Sequence, residues 1–584
     1  MENMKDDSPE LIYYRDSFDK WAEVKRKEVR EARDSWRYYH GNQWTKEEIA
    51  ELRKRKQPII TVNRIKRKID GLVGLDSRYR QDPKAYGRTQ KHEQEASVAT
   101  AAIRFVMDNN DWPNLSDECI LDACVQGVMV VEQKFEEDGE TGEQTIRFKR
   151  VSPDRFFYDP FSVENDFSDA RYLGTWAWLS LNDAVDLFPE KEAEIKRARD
   201  DSISGGNYEA SDRERRLEWY DAKRNLVKVV EMWKRKGGVW NYCFFTGSDI
   251  LETGESPFFD GAGKPCHRYE AQSAYIDEEG DRYGLVRDMR SPQDEVNHRR
   301  SKLLHQLSVR QTWGRSGVVK DINEARLQMA RPDGHLEMEG EFNQDWGIIN
   351  QNDQIAGQAQ LLQESKDEIE NFGPNQALIG QGGVSDSSGR AIALLQAAGM
   401  AELALFFGRI RSWKLRVYKR AWQNIRRVWT TERMIRVTDD PQSPQYLTVN
   451  ELTIDEFGMP KIQNQLSQLV VDVIIDESPD SVSLQSETFD KLVKLVQAGI
   501  QIPPEAILES ADLDHGVKQR MLQRMQEAAQ QEAQNPMKAR AMEMEMADKE
   551  ADVGLKRANA EKSLAGAFRD QVNAQRDLLT PLGM

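Results

Sequence analysis

Few folds accommodate a helix more than 40 residues long, and the spacing of Ser388 to about Thr430 predicts one. At a rise of about 1.5 Å per residue it would reach about 60 Å. Phe406, Ile410, Trp413, Val417, Ala421, Ile425 and Val428 recur at helical spacing and make one apolar stripe. Between Phe406 and Thr431 stand eight basic residues and no acidic one: Arg409, Arg411, Lys414, Arg416, Lys419, Arg420, Arg426 and Arg427. One account is a solvated face, favoured near the C-terminus by the helix dipole. The other is a contact with acidic neighbours in an oligomer, because so long a helix must pack on something.

The chain before it reads as mixed α+β. Residues 11–56 are charged and helical, with Tyr13, Tyr14, Trp21, Trp36, Tyr38 and Tyr39 among lysines and arginines. Such a mixture can stack on nucleic-acid bases, but the interspersed Glu and Asp make amphipathic packing the simpler account. Ile65, Ile69, Leu72 and Val73 mark a helix over 63–75, and further helices are expected over 92–111 and 115–128. Residues 128–151 read as a β-hairpin, and 226–247 as two strands about Gly237-Gly238. Ser291-Pro292 followed by Asp294 has the form of a helix start. That helix is expected to reach about Gln311, with Val296, Leu303, Leu304 and Leu307 on one stripe and His298, Arg299, Arg300, Lys302 and Arg310 opposite. An irregular or β segment follows, then a polar helix over about 353–371, stopped by Gly373-Pro374. Strands are expected over 433–476 and helices over 483–498 and 503–510, with two Ala-rich helices after 516.

Composition narrows the function. The 584 residues suggest about four structural units. The net charge of −17 argues against a static nucleic-acid clamp, which carries a basic footprint. It suits DNA sliding past without sticking, since like charge removes the phosphate attraction. No secretory signal or membrane span is expected. Four cysteines make no disulfide framework, and a reducing cytoplasm during folding is the simple reading. No phosphate-binding loop with its Gly-Lys-Ser/Thr, no HExxH, no CxxC and no Ser-His-Asp spacing is present. Cys119 and Cys124 read as buried thiols rather than zinc ligands. Asp159, Asp166 and Asp169 read as a turn rather than a Ca²⁺ loop. No enzyme activity, cofactor or metal is expected.

The order of features resembles a known family. Asn63-Arg64-Ile65 opens a helix, a basic strand with Pro83 follows, and Asp122-x4-Gly127 leads into a hairpin. Asp159-Pro160 and Asp169-Ala170-Arg171 come next, then Pro292, Gln293, Asn297, Arg300 and Ser301 on one helix. Last comes Ser388-Gly389-Arg390-Ala391 at the start of the long helix. In this order they resemble the portal proteins of tailed phages, most closely the large portals of short-tailed phages. Val128 and Met129 depart from that family's glycine-plus-aromatic at this point.

The resemblance implies an α+β portal-type fold and a homo-oligomeric ring, usually a dodecamer, at the capsid vertex of the virion. Double-stranded DNA would pass along its axis during packaging and ejection. Its expected partners are the terminase large subunit, the head–tail adaptor or tail proteins, and the major capsid or scaffold protein. No membrane is involved, and assembly takes place in the host cytoplasm.

It also implies a division of the chain. Residues 1–285 and 431–482 would be a wing, 286–311 and 353–372 stem helices, and 312–352 a clip. Residues 373–389 would be a tunnel loop and 390–430 a spine helix. Residues 483–519 would be a crown and 520–584 a C-terminal helical barrel or tail. DNA-facing candidates are Gln376, Gln381, Gly382, Gly383, Ser385, Ser387 and Ser388. Stem candidates are Gln293, Asn297, Arg299, Arg300 and Ser301. Subunit-contact candidates are Arg409, Arg416, Lys419, Arg420 and Arg426. The competing readings are an internal scaffold or an ejected DNA-contacting virion protein, and, in a third class, a nuclease or packaging ATPase.

Overall fold

The computed structural model describes residues 8–475 apart from 79–81, 88–92, 138, 140–141, 204–218, 222, 309–310, 332, 342, 349–351, 373–402, 437–445, 455–459 and 470, with a few isolated positions beyond. The chain divides into two compact units. The first, Met1–Asp439 with Pro444–Ser478, holds every element described below. The second, Asp440–Ser443 with Pro479–Met584, lies almost wholly outside the described residues. The tunnel-loop candidates, the expected helical residues 388–402, and the expected helices after 483 also lie outside them.

The N-terminal arm is helical: α1 (Pro9–Val24), α2 (Arg26–Tyr39) and α3 (Lys46–Lys54). Ser8 caps α1 ahead of Pro9, and Thr45 with Glu48 forms a capping box on α3. Leu11 is buried, and so are the aromatics Phe18, Trp21 and Tyr39, which pack inward. Next come α4 (Ile65–Arg78), β1 (Pro83–Gly87), α5 (Glu93–Asn109) and α6 (Trp112–Gln126). β2 (Val128–Glu137) and β3 (Gln144–Arg150) form the expected hairpin.

After them run β4 (Phe156–Tyr158), β5 (Tyr172–Ser180), α7 (Leu181–Leu187), α8 (Glu192–Ile203) and β6 (Tyr220–Asp221). β7 (Leu226–Lys236), β8 (Val239–Phe245), β9 (Ile250–Glu255), β10 (Tyr269–Ser273), β11 (Tyr275–Ile276) and β12 (Arg282–Tyr283) follow. The main sheet is antiparallel in the order β4-β5-β7-β8-β9, with β6 also on β7, and β10-β2-β3 makes a second. Lys236 pairs with Val239 around Gly237 and Gly238, both at positive φ (59° and 88°). Two left-handed residues are what a tight two-residue hairpin requires.

A helical pair comes next: α9 (Val286–Ser308) and, after an excursion with β13 (Thr312–Gly314), α10 (Ile322–Ala330) and β14 (Trp346–Ile348), the returning α11 (Asn352–Asn371). Ser291-Pro292 does not begin α9, which carries Pro292 inside it. An interior proline costs about 3 kcal/mol. Leu285, Val286 and Met289 are all buried, and at about 1.5–3 kcal/mol each their burial carries the helix past it. The stripe expected on α9 divides: Val296 and Leu303 are buried, whereas Leu304 (43%) and Leu307 (61%) are exposed.

Where the sequence predicts one helix from Ser388 to about Thr430, the described helix is α12 (Ala404–Val428), 25 residues long, and it starts after a non-helical N-cap at Leu403. Its stripe from Phe406 to Ile425 is buried in the largest core cluster, and the helix packs on α5, β3 and β10. The unit closes with β15 (Arg433–Arg436), β16 (Tyr446–Val449), β17 (Glu451–Ile454), β18 (Pro460–Gln463) and β19 (Val471–Ile475). β15 pairs β16, β17 pairs β18, and β19 returns to pair β1. All four cysteines are buried free thiols. No described helix is long and apolar enough to cross a membrane.

Candidate functional site

Of the stem candidates, Gln293, Asn297 and Ser301 stand four residues apart, so they share one face of α9. All three are buried, at 0%, 2% and 1% exposure. An extended segment runs beside them. The N–H groups of Arg64, Val62 and Ile60 donate in turn to Gln293 Oε1 (3.0 Å), Asn297 Oδ1 (2.9 Å) and Ser301 Oγ (3.2 Å). Gln293 Nε2 returns a bond to the Val62 carbonyl (2.8 Å), and Asn297 Nδ2 donates to Gln43 Oε1 (2.6 Å). Four helical residues rise about 6.0 Å and two extended residues about 6.6 Å, which is why every fourth side chain meets every second amide.

Arg299 faces α11 instead. It donates to Glu295 Oε2 (3.1 Å) and to Gln358 Oε1 (3.3 Å), and Ser365 Oγ also donates to Glu295 Oε2 (2.7 Å). The Ser365 hydroxyl and Arg299 hold the Glu295 carboxyl below its ordinary range. Arg300 is exposed. Burial, with Arg64 and Arg300 nearby, pushes the Lys366 ammonium below its ordinary range. Arg64 pairs with Glu370, and Lys68 Nζ donates to the Glu370 carbonyl (3.0 Å) near the end of α11. There the dipole favours a cation.

Most of the basic face of α12 is occupied within the chain. Glu270 on β10 sits between Arg416 (Oε1 to Nε, 2.6 Å) and Arg420 (Oε2 to Nη2, 2.9 Å). Arg420 also donates to the carbonyls of His267 (2.8 Å) and Tyr269 (2.7 Å), and Arg416 to that of Ala271 (3.1 Å). Lys414 pairs with Asp76 (2.6 Å), with both side chains at 7% exposure. Arg426 donates to the Ser467 carbonyl (2.6 Å), and Arg409 lies over the Tyr275 ring. Lys419 is half-buried and makes no such bond among the described residues. Sequence reasoning found the arginines and missed Glu270, although Glu270 alternates with the aromatic and small residues of one strand.

The family motifs acquire physical reasons. Asp122 is fully buried and holds Arg150 at two points, 2.6 and 2.7 Å. Gly127 ends α6 at φ +91°, where a Cβ would stand 2.4 Å from the Tyr283 backbone. Asp159 pairs with Arg171, while Asp169 accepts from Ser162 Oγ (2.7 Å) and the Val163 amide (2.7 Å). These aspartates build a turn. Glu136 and Glu137 at the hairpin tip are exposed.

The fold and these contacts define a mixed α+β protein whose polar side chains join elements to one another. The chain belongs to the phage P22-like portal protein family, whose model matches residues 15–567. It is similar to the portal protein of Helicobacter pylori bacteriophage KHP30, with 20% identity over 514 residues, covering 85% of this chain and 79% of that one.

Proposed function

We propose that copies of this chain close a ring, of twelve subunits in the usual form, at the one capsid vertex through which the genome enters and leaves. The family match across residues 15–567 carries this reading. In it, the sheets and N-terminal arm form the wing, α9 and α11 the stem, and the excursion 312–352 the clip. The clip docks the terminase large subunit during packaging and the head–tail adaptor afterwards. Residues 373–389 face the double-stranded DNA as the tunnel loop. The outer wing seats against the major capsid or scaffold protein. Trp313, an apolar side chain 45% exposed on the excursion, supports an interaction role for it.

The test is native mass spectrometry with negative-stain microscopy on the purified chain. A closed ring near 800 kDa, about twelve chains under closed cyclic symmetry, with a central hole is expected. A monomer or open fibre at every concentration sinks autonomous ring assembly. In that case an internal scaffold or ejected DNA-contacting protein becomes the better reading. Lys419→Glu tests a contact of α12 between subunits without breaking an in-chain ion pair, and is expected to shift assembly toward smaller species at low salt, an effect that high salt screens. Arg416 and Arg420 are unsuited to that test, because reversing either would strand Glu270 inside its own subunit.

A further inference from the structure

The excursion between α9 and α11 lacks a core of its own. Among its described residues from 312 to 348, the buried apolar side chains are Val318, Ala325 and Trp346 alone. β13 and β14 form an isolated two-stranded pair of three residues each, and such a hairpin is marginal in water. α10 has nine residues, well below the ~12–15 at which an isolated helix begins to hold. Modules shorter than ~40 residues need disulfides, a metal or oligomerisation. None of the four cysteines lies in this segment. Among the described residues no His, Cys, Asp or Glu group there is placed to hold a metal. What holds the segment is largely its own polar turns, such as the Arg315 amide to the Asp345 carbonyl (2.8 Å) and Glu339 to Val318 (2.9 Å).

The exposed apolar side chains of α10 say what is missing. Ile322 and Leu327 point about 140° apart around the helix axis at 3.6 residues per turn, and Ala325 faces inward in a third direction. A single docking protein would need one apolar face. A head-to-tail contact needs two different faces, one given to the next copy and one to the previous.

We infer that the clip completes its core only between neighbouring copies of this chain, with α10 wedged between them, so that clip folding and ring closure are one event. This rests on the ring reading above.

Hydrogen exchange on the full chain tests it, comparing monomer and ring separated by size and identified by native mass. Amides of α10 are expected to exchange at near-unfolded rates in the monomer and at least ~100-fold more slowly in the ring. Amides of α12, protected in both, report that the rest of the chain is folded. The double substitution Ile322→Asp/Leu327→Asp is expected to abolish the added protection over 312–348 while α12 stays protected, and Leu327→Met to keep it. Equal protection of α10 in monomer and ring overturns the inference, and so does a ring in which α10 stays unprotected. Failure of the native chain to form any ring is read separately, by mass, and takes the ring reading down with the inference.

Discussion

At the scale of single residues, polar groups hold this protein at places where a wrong substitution leaves a buried partner stranded. Asn297 is one. Replacing it with Leu leaves the Val62 amide and Gln43 without their partner, and an unmet buried group costs about 1–3 kcal/mol. The expected result is a lowered melting temperature and faster proteolysis within 57–64. His267 is another. Burial, then the Arg420 charge beside it, pushes its imidazole well below the ordinary 6.5. Cys266, Arg268 and Glu270 flank it along the chain, and Trp240 packs against its ring at 4.8 Å. Below pH 6.5 the unfolded chain binds a proton that the folded chain does not, so stability falls as pH falls through that value. Thermal melts from pH 7.5 to 5 are expected to drop more steeply for the native chain than for His267→Gln. Identical slopes would remove His267 from the account.

Elements show the same economy. Glu270 on one strand holds two arginines of one helix, so α12 and β10 are joined by charge as well as by the Trp413 indole, which donates to the Glu270 carbonyl (3.1 Å). Glu270→Gln is expected to cost about 3 kcal/mol, the usual result of leaving a buried cation unpaired, read as a fall in the denaturation midpoint. Much of this level was legible in the sequence. The stripe on α12, the 128–151 hairpin and the Gly237-Gly238 turn follow from periodicities of 3.6 and 2 that burial enforces locally. The start of α9 was not, because a capping signature is local while the burial of Leu285, Val286 and Met289 is tertiary. α10 escaped notice because nine residues hold too few turns for a periodicity to emerge, and the segment reads as irregular or β. The polar triplet Gln293, Asn297 and Ser301 was visible as a four-residue repeat, but only the structure shows that it reads an extended segment more than 200 residues away in sequence.

For the whole molecule, ring formation is the prediction on which the others turn, and its measure is the mass of the closed particle. Within one subunit, the arm from 57 to 64 and helix α9 behave as two rulers with different graduations. Their marks agree over three teeth, at 293, 297 and 301, while the spacings drift apart by roughly 0.6 Å at each step. A vernier of that kind has one setting. Slipping it by a turn would bring Met289 or His305 against an amide in place of a fitted acceptor. The first 64 residues are thus indexed to the helix at a fixed height. A load that slides α9 along its axis must either carry the N-terminal arm with it as a rigid rod or break all three teeth together.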